Sequence, residues 1–72
     1  MVTAVSARLR GIEDAAYAKA VQACRDAGAA SVSIIQATTR ATYNGALAFL
    51  ARMEQEGVIG ARQEDGTHAL LP

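Results

Sequence analysis

His68, Cys24 and a handful of carboxylates are the residues that could support chemistry beyond recognition, and none has the partners such chemistry needs. His68 is the only histidine in the 72 residues and has no second ligand at metal-binding spacing. A solvated or half-buried place on a strand is expected for it. Cys24 is the only cysteine, so no intramolecular disulfide can form, which suits a reducing cytosol. Its neighbours Ala20, Ala23 and Ala27 offer none of the positive charge that activates a thiol, so a buried small hydrophobe is expected. Glu54, Glu56, Glu64 and Asp65 fall at a helix end and a hairpin tip, where acids are routine, and Ser31 and Ser33 stand at capping positions. No base–nucleophile pair is apparent. The sequence therefore predicts a non-enzymatic chain with no cofactor and no metal. The chemistry left is recognition, through Arg40, Thr42, Tyr43, Asn44, Arg52 and Arg62, with Arg8 and Arg10 near the start.

The elements that must hold these residues are legible from caps and periodicity. Residues 1–12 are expected to form an N-terminal arm, in which Val5, Ala7 and Leu9 alternate with polar residues as in a short strand. An arm ordered only against a partner is the alternative. Residues 13–72 are expected to form one domain. A first helix is predicted over Glu13–Ala27, with Glu13 or Asp14 at its start, Tyr17, Ala20, Val21 and Cys24 buried, and Gly28 ending it. Ala30-Ser-Val-Ser33 is tolerant of an edge strand or bridge. Ser33-Ile-Ile-Gln36 has capping-box spacing, which predicts a short second helix from Ile34 to about Thr39 or Arg40 with Ile35 inward.

Thr42 can cap a third helix that ends at Gly57. At about 100° per residue, Ala46, Phe49, Leu50 and Met53, with Tyr43 alongside, share the inward face. Asn44, Ala48, Ala51 and Gln55 lie opposite, with Leu47 and Arg52 on the flanks. Val58–Arg62 and Thr67–Leu71 then flank Asp65-Gly66, a strong hairpin signal. Three helices followed by a hairpin predict a mainly α fold with a small β sheet (α+β), a winged helix-turn-helix with a wing of two or three strands.

With these elements placed, the segment Ala16 to Leu71 resembles the gamma domain at the C-terminus of the FtsK/SpoIIIE DNA translocases. The matching stretches are Tyr17-Ala-Lys-Ala-Val21, Ala30-Ser-Val-Ser33 with Gln36, Tyr43-Asn44 and Met53-Glu-Gln-Glu-Gly-Val58. The resemblance implies a winged helix that reads short DNA motifs with its third helix in the major groove and that contacts a site-specific recombinase. It assigns Asn44 to an adenine edge and Arg40 to a phosphate. It also marks departures: Gly45 and Ala48 stand where the family has arginine, and Ala37 and Thr38 replace a basic pair on the second helix. No phosphate-binding loop of the GxxxxGK[ST] type accompanies them. A bidentate arginine–guanine contact is worth about 1–3 kcal/mol of discrimination. Two fewer such side chains would remove most sequence specificity, so the family's own motif is not expected to be read.

Composition leaves two functions in competition. The chain is too apolar for a disordered tail, 51% hydrophobic and 19% charged, but alanine supplies much of that content and the core should be thin. Its formal net charge of zero counts against strong non-specific affinity for nucleic acid. The first expectation is a small regulator or accessory factor of bacterial or mobile-element origin that binds double-stranded DNA through Arg40, Thr42, Tyr43, Asn44, Arg52 and Arg62. A homodimer would double those contacts. The second is a protein-binding module, for a recombinase-type partner or a host complex that it inhibits. It would use Leu47, Ala48, Ala51 and Gln55, which cost little to desolvate and offer phosphates nothing. No apolar run approaches a membrane span, and a cytoplasmic location is expected.

Overall fold

Two side chains, Ser31 and Thr42, set where the helices of the central turn begin. In the computed structural model, which describes the backbone of residues 3–72 and the side chains of residues 14–72, Ser31 is extended (φ −158°, ψ 162°) and its hydroxyl accepts from the Ile34 amide. Thr42 accepts from the Gly45 amide at 3.0 Å. The elements run α1 (Thr3–Ala27), α2 (Val32–Thr39), α3 (Tyr43–Gln55), β1 (Ile59–Arg62) and β2 (His68–Leu70). Three helices and an antiparallel hairpin in this order are the winged helix-turn-helix expected from the sequence.

Three expectations need correction. The first helix does not start at Glu13 but runs back to Thr3 without an acidic first turn, so Asp14 is an interior helical residue and not a cap. Alanine, leucine and arginine are strong helix formers, and Val5 and Leu9 are spaced as well for a helix as for a strand. The side chains of Arg8 and Arg10 lie outside the described residues. Secondly, the cap of α2 is Ser31 and not Ser33. The Ala30 amide and carbonyl are tied to His68 at 2.9 and 2.8 Å, leaving Ser31 as the last extended residue before the helix. Thirdly, Tyr43 is 60% exposed and does not join the inward face of α3.

Gly28 and Gly57 end α1 and α3 in the same way. Each has positive φ, 78° and 75°. The amide after each glycine reaches back five residues, Ala29 to the Cys24 carbonyl and Val58 to that of Met53. This is the Schellman arrangement, in which a left-handed residue turns the chain out of the helix. The second of these turns delivers the chain directly into the wing.

The core between the elements is Tyr17, Ala20, Cys24, Ala30, Ile35, Ala46, Leu50, Met53 and Ile59. The three alanines in that set contribute little buried area, so Ile35, Met53 and Ile59 supply much of the volume. Val21 and Phe49 are partly buried at its edge. The hairpin pairs Ile59 with Leu70 and Arg62 with His68, with an irregularity between. The bridge from Ala30 to His68 fastens the wing to the start of α2. Among the described residues, no helix is long and apolar enough to cross a membrane.

Candidate nucleic-acid interface

The turn between α2 and α3 is fixed by hydrogen bonds from its own side chains. The Thr39 hydroxyl donates to the Ile35 carbonyl at 2.8 Å and accepts from the Ala41 amide at 3.2 Å. The Gln36 amide group reaches the Ala41 carbonyl at 3.4 Å. Arg40 sits between them in the left-handed region (φ 57°, ψ 25°), with its amide donating to the Gln36 carbonyl. It is the one non-glycine residue with positive φ among those described. An L-residue with a long side chain pays about 1–2 kcal/mol for that conformation, and the residue is exposed at the corner of the helix-turn-helix.

From this corner the first turn of α3 presents Thr42, Tyr43 and Asn44, all exposed. At Gly45, the third residue of α3, a Cβ would lie 3.2 Å from the Thr42 hydroxyl oxygen, so a side chain there needs the cap to shift by a few tenths of an ångström. Further along, Leu47 (41% exposed), Ala48, Ala51 and Gln55 continue the outward surface. Ala46, Leu50 and Met53 turn in, as expected.

The wing closes one side of this surface. A cleft of 430 Å³ separates the α2 start (Ser31–Ser33) from Tyr43 and Leu47 of α3 and from Arg62, Asp65 and Thr67 of the hairpin. Arg62 is exposed, and its guanidinium lies over the turn, where a Cβ on Gly66 would meet it at 3.4 Å. The turn is held by Asp65, which accepts from the Thr67 hydroxyl at 2.7 Å and the Thr67 amide at 3.0 Å. Those bonds lower the Asp65 pKa, the hydroxyl contributing most. The wing tip is therefore anionic and internally occupied.

Of the DNA candidates, Arg40, Thr42, Tyr43 and Asn44 are gathered at the turn, and Tyr43 shares the cleft with Arg62. Arg52 is placed apart from them. It makes 3.0 Å ion pairs to Asp14 of α1 and Glu56 at the end of α3, and its guanidinium stacks over the Tyr17 ring at 3.9 Å. The Tyr17 hydroxyl donates to the second Glu56 oxygen at 2.9 Å. Burial, reinforced by that bond, pushes the Tyr17 phenol up to about 12. The Arg52 hydrogen bond, followed by that of Tyr17, holds the Glu56 carboxyl below its usual range. The i,i+4 half of this cluster could be read from Arg52 and Glu56; the part contributed by α1 carried no local signal.

The two residues with the sharpest chemical potential are structural. Cys24 is fully buried, and desolvation raises its pKa. His68 is buried rather than solvated or half-buried, because the β2–Ala30 bridge fixes its backbone with the ring inward. Nδ1 lies 2.8 Å from the Gly60 carbonyl, to which it donates, and 3.9 Å from a Glu54 oxygen.

A helix-turn-helix with a hydrogen-bonded turn, an exposed third helix and a hairpin fastened beside it defines a winged helix-turn-helix domain. The FtsK gamma domain family model matches residues 11–71. The chain belongs to that family. It is 36% identical over 59 residues to the DNA translocase FtsK of Rickettsia bellii (strain RML369-C), a match covering 82% of this chain and 8% of that relative. Against the DNA translocase FtsK of Rickettsia typhi (strain ATCC VR-144 / Wilmington) it is 35% identical over 60 residues, 83% of this chain and 8% of the relative. The chain thus spans 8% of the length of these curated relatives. No solved structure matches it.

Proposed function

We propose that this chain is a non-enzymatic DNA-binding module that sets the N-terminal half of α3 into the major groove of double-stranded DNA. The observation that supports this most is Arg40. A glycine would be favoured at its left-handed backbone, yet an exposed arginine stands there, next to the exposed Thr42-Tyr43-Asn44 start of α3. Membership of a family whose relatives are DNA translocases points the same way. Arg40 holds a backbone phosphate, Asn44 offers donor and acceptor to an adenine edge, and Arg62 adds a phosphate contact from the wing. Arg52 contributes by fixing α3 against α1, through Asp14 and Tyr17, and not by touching DNA. The biological role is that of a regulator or accessory factor of bacterial or mobile-element origin. Asn44→Ala should weaken specific relative to non-specific binding by about 1–3 kcal/mol in fluorescence anisotropy; identical binding by the variant would remove Asn44 from the readout.

A second reading rests on Leu47. An exposed leucine flanked by Ala48, Ala51 and Gln55, on a face without charge, suits a protein surface better than phosphates. A recombinase-type partner or an inhibited host complex would pack there. Leu47→Asp should then abolish co-purification of the partner while the circular dichroism of the domain is kept.

A further inference from the structure

We infer that the outward face of α3 reads thymine methyl groups, so that the DNA it prefers is rich in A·T pairs. This rests on the DNA-binding reading above and adds which bases the face can distinguish. Asn44, Leu47, Ala48 and Ala51 follow one another at i, i+3, i+4 and i+7 and are all exposed, so they form one stripe along the helix. The stripe has no cationic side chain. The one arginine of α3, Arg52, is turned away and occupied by Asp14, Glu56 and the Tyr17 ring. Guanine is recognised in the major groove by a bidentate cation on O6 and N7, and α3 has none to offer. Thymine presents a methyl group instead, and apolar side chains such as Leu47 and Ala48 are what meets it. Beside them the Asn44 carboxamide has the donor and acceptor that match adenine N6 and N7. An A·T pair therefore satisfies both parts of the stripe, whereas a G·C pair leaves the apolar part against polar edges and guanine without its donor.

The test uses three duplexes of equal length: one of A·T pairs, the same one with deoxyuridine for every thymidine, and one of G·C pairs. Uridine keeps base pairing and the minor-groove pattern and lacks only the 5-methyl group, which separates methyl contact from groove shape. Each methyl contacted should be worth about a 4-fold change in Kd, corresponding to ~0.8 kcal/mol for one buried methyl-sized group. The expected order is thymidine duplex tightest, then the uridine duplex, then G·C. Leu47→Ser should bring the thymidine and uridine duplexes together, whereas Asn44→Ala should weaken both and keep the gap; circular dichroism and melting check that both variants fold. Equal binding of thymidine and uridine duplexes overturns methyl readout and leaves DNA binding intact. No binding to any duplex overturns both, and tightest binding to G·C overturns the assignment of the bases.

Discussion

Replacing Arg40 by glycine should make the domain more stable and a worse DNA binder. The residue holds φ 57° and ψ 25°, its amide bonds the Gln36 carbonyl, and its side chain is exposed. Nothing in the described core depends on that side chain. Glycine removes a backbone strain of about 1–2 kcal/mol and returns about 0.4–1 kcal/mol as extra freedom of the unfolded chain. The net gain is about 0.5–1 kcal/mol, which for a domain of this size is a rise in Tm of roughly 3–6 °C. Arg40→Ala is the control, because it removes the guanidinium and keeps the Cβ that the left-handed conformation penalises. Urea unfolding should rank Arg40→Gly above both the parent and Arg40→Ala, and anisotropy should show both variants losing the same phosphate contact. An Arg40→Gly domain no more stable than Arg40→Ala would refute the strain argument. Unaltered DNA affinity in both would refute the reason given for tolerating the strain.

Other consequences can be checked in the same way. Thr42→Ala removes the acceptor for the Gly45 amide and should cost about 1 kcal/mol in urea unfolding. Ala48→Arg places a cation on the exposed stripe and should tighten DNA binding, with a salt slope steeper by about 1. Glu56 has a lowered pKa, so the stability it adds is present above the usual value of 4.5 and is lost as pH falls through its folded value. The urea midpoint of the parent should fall in that acid range more than that of Glu56→Gln.

The parts of the fold that were legible were those written in local chemistry. Thr42 announces α3 as a cap, Gly28 and Gly57 announce the helix ends that they form at positive φ, and Asp65-Gly66 announces the wing turn. The parts that were not legible depend on distant partners. Local chemistry favours Ser33, which has Gln36 at capping-box spacing, but the pairing of Ala30 with His68 leaves Ser31 as the extended residue that caps α2. The burial of His68 follows from the same bridge. Arg52 looked available because Asp14 and Tyr17 are far away in sequence and come to it only when α1 packs on α3. Helical periodicity sets Tyr43 alongside the inward face, but it is the first residue of α3, where the cleft to the wing lies open. Of the candidate site, the sequence shows the run from Arg40 to Asn44, and it does not show the ion pairs that hold Arg52 apart from that run.

Contact of the Arg40 corner and the first turn of α3 with DNA is checked by binding of the domain to a random-sequence duplex pool at about 50 and 200 mM salt. With Arg40 and Arg62 as the two phosphate contacts, Kd should weaken about ten-fold between these salts, and selection from the pool should enrich A·T-rich sequences. Absence of binding at 50 mM salt would contradict the claim and leave the exposed face of α3 to a protein partner.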